Sequence, residues 1–69
     1  MWKTILINIG IGDVAKGVGV SLSTVKMWVY SNYLPSRYKI PSLCEVVKQH
    51  KPDLVEEFKE SISKAYLGE

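Results

Sequence analysis

The sequence contains very little cysteine or histidine, the residues that most often build disulfides and zinc sites. Cys44 is the only cysteine and His50 the only histidine among the 69 residues. One cysteine cannot close a disulfide within the chain, and a structural zinc site needs about four such ligands. The composition therefore excludes a disulfide-built or zinc-built scaffold, and a reducing cytoplasm is the simplest setting.

The sequence also lacks a long hydrophobic run. The apolar segment at residues 2–9 is short, no small-residue cleavage site follows it, and Asp13 and Lys16 come soon after. A signal peptide needs such a cleavage site, and a membrane helix needs roughly 20 predominantly apolar residues. We therefore expect neither secretion nor a membrane partner.

The residue sets that carry catalysis are missing as well. There is no nucleophile with a matching base, no cluster of metal ligands and no phosphate loop, since Gly10 and Gly12 are only a fragment of a glycine-rich pattern. Glu56 and Glu57 have no partner that would make them an acid–base pair. We expect no enzyme, no cofactor and no small-molecule substrate.

The chain does carry a small, unevenly distributed positive charge. The formal net charge is +2, and residues 1–43 contain five basic side chains and one acidic one. Residues 44–69 contain four basic and six acidic side chains. A basic N-terminal part beside an acidic C-terminal part suits a protein with one side facing a polyanion.

The hydrophobic pattern predicts one all-α domain over residues 1–69, a small bundle of about five short helices. The first segment, residues 2–9, leaves two alternatives open. Ile5, Leu6 and Ile9 fall on one helical face, which favours a helix, but the β-branched content also suits a strand. Further helices are expected at residues 13–18 and, after a cap at Ser21, at about 22–30.

Prolines and glycines divide the C-terminal half of the chain. Pro41 is expected at the first position of a fourth helix, over residues 41–50. Asp53 and Glu56 have the spacing of a capping box and predict the start of a last helix, which would end before Gly68.

The most informative stretch is residues 11–30, which predicts a helix, a glycine turn and a second helix. Ala15 is small enough for the two helices to cross closely, and Gly19 can adopt the left-handed conformation of a tight turn. The apolar residues expected to fill the wedge between the helices are Val14, Val18, Val20, Val25 and Trp28.

This stretch resembles the helix-turn-helix of phage Cro and repressor proteins. Seven residues stand at the positions this family uses for its small alanine, its turn glycine and its core: Val14, Ala15, Val18, Gly19, Val20, Val25 and Trp28. The proline-bearing loop at residues 34–38 is also similar. The resemblance implies a sequence-specific transcriptional regulator in the cytoplasm of a bacterial or phage-infected cell, bound to double-stranded DNA of the nucleoid.

In this family the second helix of the motif enters the major groove. The side chains that would face the base edges are Leu22, Ser23, Lys26 and Met27. The expected contacts to the DNA backbone are Lys16, Ser21, Thr24, Arg37, Tyr38 and Lys39. Lys3 is a further phosphate candidate, and Asn32, Tyr33 and Ser36 could donate neutral hydrogen bonds to the DNA backbone. The base-facing set has no Gln, Asn or Arg, so some dependence on DNA shape is expected.

Regulators of this kind often bind as homodimers that read half-sites about 34 Å apart. The stripe through Phe58, Ile62 and Tyr66 on the last helix is a candidate dimer interface, and the alternative is that it closes the monomer core. Two other functions stay open. One is an excisionase-like or architectural DNA-bending factor. The other is a helical protein–protein module, such as an antitoxin or anti-repressor, that uses the face with Leu22 and Met27.

Overall fold

Short α-helices make up the fold of this protein, for which a computed structural model describes residues 1–31 and 33–68. The five helices of the described residues are α1 (Trp2–Ile9), α2 (Ile11–Val18), α3 (Leu22–Tyr30), α4 (Ile40–His50) and α5 (Val55–Tyr66). Short 3-10 turns at Arg37–Lys39 and Pro52–Leu54 lead directly into α4 and α5. The described ranges contain no strand, which confirms the predicted small all-α bundle.

The N-terminal segment is a helix, so the strand alternative is wrong. Its buried side chains are Trp2, Ile5, Leu6 and Ile9, which recur at helical spacing. The N–H groups in the first turn of a helix have no acceptor within the helix. In α1 the Trp2 N–H donates instead to Ser61 Oγ of α5, at 2.9 Å. Because α1 packs against all four other helices, it forms the centre of the bundle.

All five helices contribute to one core. The side chains with no exposed surface are Leu6, Val14, Val25, Leu43, Val47 and Phe58. No polar or charged side chain of the described residues is buried with them. The bundle is therefore held together by apolar packing, and its polar side chains lie on the surface.

The turn between α2 and α3 has the predicted geometry. Gly19 is left-handed with φ 83°, and its N–H donates to the Ala15 carbonyl at 2.8 Å. The Val20 N–H donates to the same carbonyl at 3.0 Å. Val25 and Trp28 are buried as predicted, whereas Val20 is half-buried and packs against the edge of the core.

A second close crossing joins α2 to α4, and no sequence pattern indicated it. A Cβ placed on Gly17 would lie 2.5 Å from Val46 Cγ2, a distance that real Cβ atoms essentially never show. Glycine at position 17 therefore lets α4 approach α2 closely.

The predicted boundaries of α4 and α5 need correction. α4 begins at Ile40, so Pro41 stands one position later than expected. The capping-box prediction for Asp53 and Glu56 is wrong, because Asp53 lies inside a 3-10 turn and α5 begins at Val55. No side chain caps α5. Its start is stabilised by the 3-10 turn, in which the Leu54 N–H donates to the Lys51 carbonyl at 2.9 Å.

The dimer-interface prediction for the α5 stripe is wrong for Phe58 and Ile62. Phe58 is fully buried and Ile62 is 2% exposed within a single chain. Tyr66 is half-buried against the same core. Phe58 and Ile62 are therefore covered within one chain, in which α5 packs on α1 and α4, and neither can face a second copy. The structure decides for the alternative, in which α5 closes the monomer core.

Among the described residues, every helix is too short or too polar to cross a lipid bilayer.

Candidate nucleic-acid interface

Helix α3 has one buried face and one exposed face. Val25, Trp28 and Val29 point into the core, and α3 packs on α1 and α2. The opposite side, the outer face of α3, is exposed. It consists of Leu22, Ser23, Lys26, Met27 and Tyr30. All four side chains predicted to meet base edges lie on it. This exposed helix surface is available to a partner.

The chemistry of the outer face is cationic and apolar. Leu22 is 52% exposed and Met27 43% exposed, and Lys26 lies between them along the helix. α3 carries no acidic residue. Within the described ranges both ion pairs lie on α5, Lys59 with Glu56 and Lys64 with Glu60, so the Lys26 ammonium is available to an external anion.

The start of α3 is fixed by a side-chain cap. The Thr24 N–H donates to Ser21 Oγ at 3.2 Å, and Ser21 Oγ and Thr24 Oγ1 are hydrogen-bonded at 3.0 Å. This cap is the one the sequence predicted at Ser21. The N–H groups of Leu22 and Ser23, in the first turn, have no acceptor within the helix. The first turn of α3 therefore presents hydroxyls and free N–H donors, the groups that commonly contact phosphates.

Lys16 lies on the other side of the Gly19 turn from this cap. It is exposed, belongs to the last turn of α2 and makes no ion pair in the described part of the chain. The structure thus joins Ser21 to Thr24 at the start of α3 and leaves Lys16 exposed on the preceding helix.

The other predicted backbone contacts lie in the 3-10 turn before α4, and one of them contacts α5. The Arg37 guanidinium stacks over the Tyr66 ring, 5.5 Å from its centroid, and the Tyr66 hydroxyl donates to the Pro35 carbonyl. Burial raises the pKa of Tyr66, and Arg37 partly opposes that rise. Tyr38 is 91% exposed and Lys39 half-buried. The structure therefore attaches Arg37 to α5, and the 3-10 turn that carries all three residues packs on α4.

Lys3 has a structural role that the sequence did not indicate. Its ammonium donates to the Ser31 carbonyl at 2.7 Å and lies 5.6 Å from the centroid of the Trp2 ring. Ser31 is the C-cap of α3, where a cation meets the negative end of the helix dipole. Lys3 therefore joins α1 to the end of α3. Residues so distant in sequence show no pattern that would reveal such a contact.

The tyrosines after Trp28 are surface residues. Tyr30 and Tyr33 are both well exposed, so they remain available to a partner. Ser36 is also exposed, and Asn32 lies outside the described residues. No group of three or more possible metal ligands occurs in the ranges that the structure covers.

Comparison with protein-family models, curated proteins and solved structures finds no match to this chain. The candidate site therefore rests on its own geometry: a capped helix on a glycine turn, with an exposed face of mixed cationic and apolar character.

Proposed function

We propose that the chain is a sequence-specific DNA-binding transcriptional regulator of the Cro type, which inserts α3 into the major groove. One observation carries the proposal. The residues that the helix-turn-helix resemblance assigns to base edges are all exposed on one face of α3, while Val25 and Trp28 anchor the other face. A major groove about 12 Å wide admits a single α-helix in this way.

Each side chain of the outer face has its own contribution to binding. Ser23 can donate to or accept from several base edges, so it discriminates weakly. Lys26 can donate to guanine O6 and N7 or to a phosphate. Leu22 and Met27 offer only apolar contact.

Backbone contacts give the complex its register. Ser21 and Thr24, at the start of α3, and Lys16, in the last turn of α2, would contact phosphates at the edge of the same groove. Arg37, stacked on Tyr66 of α5, and its neighbours Tyr38 and Lys39 would contact a more distant phosphate, reached where the DNA curves around the protein. A regulator of this kind works in the cytoplasm of a bacterial or phage-infected cell, where the DNA is.

Two copies of the chain on an inverted repeat complete the proposed binding mode. One motif covers too few base pairs for tight binding, and a two-fold dimer places two α3 helices in major grooves about 34 Å apart. Because Phe58 and Ile62 are buried in each monomer, the contact between copies must use other side chains. Leu67, at the C-terminus of α5, is 72% exposed and is a candidate for that contact.

The proposal is tested by selecting random duplexes on the purified protein at about 0.15 M salt. We expect an enriched inverted repeat, and an affinity that falls steeply as salt rises because condensed counterions are released. Binding without an enriched sequence would instead favour the DNA-bending alternative. If no duplex is retained at any salt concentration, the proposal is wrong.

A pair of lysine variants tests whether α3 contacts the DNA. Lys26→Ala should weaken binding to the selected duplex at least about fivefold, the change expected for one lost base contact of about 1 kcal/mol. Lys59→Ala removes the same charge from α5, which does not carry the outer face, and should leave the affinity nearly unchanged. Equal effects of the two variants would mean that overall charge, and not α3, governs binding.

The exposure of Leu22 and Met27 supports a second candidate function, a helical module that binds another protein. Its signature differs from that of DNA binding. Capture of a protein partner through these side chains would be weakly dependent on salt and would be lost in Leu22→Ala or Met27→Ala, whereas Lys26→Ala would have little effect.

A further inference from the structure

The exposed apolar side chains of α3 have a consequence for the bases that this protein would select. Leu22 and Met27 together supply two of the five outer-face residues, and both are exposed on a helix that is otherwise anchored in the core. Exposed leucine and methionine next to a lysine are unusual for a helix face that meets only water. This face would complement an occupant with both anionic and apolar groups.

The major groove of DNA contains both kinds of group. Phosphates line its edges, and its apolar feature is the C5-methyl group of thymine. Lys26 lies between Leu22 and Met27 in the sequence of α3, and no acidic side chain of α3 would repel a phosphate. The charge and apolar character of the outer face therefore match this groove better than they match an acidic or a purely apolar protein surface.

We propose that Leu22 and Met27 make this protein a reader of pyrimidine C5-methyl groups, so that thymine is recognised through its methyl group. The inference rests on the proposed DNA-binding function and adds what the site selects. The outer face has no Asn, Gln or Arg, so apolar contact is its means of discriminating bases beside the Lys26 ammonium, which can read guanine. The two apolar side chains would select thymine.

Replacing thymine by deoxyuridine tests this directly, because it removes only the methyl group and keeps every hydrogen-bonding group of the base pair. Each thymine of the selected duplex is replaced in turn, and the affinity is measured at fixed salt. At the contacted thymines we expect about a fourfold loss for each methyl removed, which corresponds to about 0.8 kcal/mol per buried methylene-sized group.

Variants of the protein assign the effect to the two side chains. Leu22→Ala and Met27→Ala should each abolish the preference for thymine over deoxyuridine at one position of each half-site. Lys26→Ala should weaken binding to the thymine duplex and to the deoxyuridine duplex by the same factor. The preference for thymine over deoxyuridine should therefore remain. Ile7→Ala, which shortens an exposed apolar side chain of α1, should change neither quantity. Because all of these residues are exposed, the variants should keep the wild-type melting temperature, which is measured alongside.

The possible outcomes separate this inference from the proposed function. Salt-dependent, sequence-specific binding with equal affinity for thymine and deoxyuridine duplexes would overturn the methyl-reading inference and leave the DNA-binding proposal standing. A preference that survives both alanine variants would overturn it as well. A complete lack of DNA binding would refute both proposals together.

Discussion

Single side chains position the exposed helix of this protein. Ser21 accepts the Thr24 N–H at the start of α3, and Lys3 donates to the Ser31 carbonyl at its end. α3 has only nine residues, and a helix this short is marginal in isolation. Its two ends therefore depend on these contacts, and its outer face is presented in one orientation as a result.

Loss of the α3 cap gives a prediction at the residue scale. Ser21→Ala should lower the free energy of unfolding by about 1 kcal/mol, the usual cost of removing an N-cap hydroxyl. The matched control is Ser36→Ala. Ser36 precedes the 3-10 turn Arg37–Lys39, and its side chain makes no capping hydrogen bond. Urea unfolding of both variants measures the difference, and equal stabilities would show that the Ser21 cap contributes nothing.

Helix packing sets the geometry of the motif at the element scale. α2 lies between α3 and α4, with Ala15 buried in the bundle and Gly17 against Val46. The side chain of Val46 is β-branched and restricted in its rotamer within α4, so it cannot move aside easily. The orientation of α2, and through the Gly19 turn that of α3, therefore depends on this crossing.

Two glycines of α2 provide a matched pair that tests the crossing. Gly17→Ala should lower the free energy of unfolding by on the order of 1 kcal/mol, because overpacking against Val46 outweighs the helix-propensity gain. Gly12→Ala adds the same methyl group where no atom lies within 4 Å and should leave the stability unchanged or raise it. If both variants gain stability in urea or thermal unfolding, α4 does not constrain α2 at this point.

At the scale of the whole molecule, α5 completes the fold from the opposite end of the chain. Phe58 and Ile62 fill the core. Tyr66 holds the loop after α3 through its hydrogen bond to Pro35 and its stacking with Arg37. The same helix thus closes the core and fixes the basic loop that would meet a distant phosphate.

This contact predicts a dependence of stability on pH. Burial raises the pKa of Tyr66 above its ordinary value of 10.0, so the folded protein holds this proton more tightly than the unfolded chain does. The resulting stability is fully present below about pH 10 and is lost as the pH rises through the higher folded pKa. Tyr66→Phe removes the ionisable hydroxyl, so this part of the loss of stability at alkaline pH should disappear.

Urea unfolding at neutral and alkaline pH measures this effect. At neutral pH, Tyr66→Phe should be less stable than the wild type by roughly 0.5–1.5 kcal/mol, because the hydrogen bond to Pro35 is lost. The difference should shrink above about pH 10. Tyr38→Phe, at a residue 91% exposed, should follow the wild type throughout. A constant difference between Tyr66→Phe and the wild type would show that Tyr66 does not carry the pH dependence.

Local sequence signals predicted much of the fold and of the candidate site. The breaks at Gly10, Gly19 and Pro35, and the cap at Ser21, depend on the conformational preferences of one to four neighbouring residues. The exposure of Lys26 followed from the helical period alone, since the positions around it were already assigned to the core. The start of α5 was missed because a 3-10 turn after Pro52 competes with a side-chain cap, and local preference does not decide between them.

The sequence by itself determined the all-α class, the left-handed turn at Gly19 and the exposed face of α3, since each depends on residues within one or two helical turns. Only the tertiary structure decided that Phe58 and Ile62 close the monomer core, that Gly17 accommodates α4, and that Lys3 binds the end of α3. These outcomes depend on which surfaces meet after the chain folds. An apolar stripe has the same pattern whether its own chain or another covers it, and contacts between distant residues leave no periodicity in the sequence.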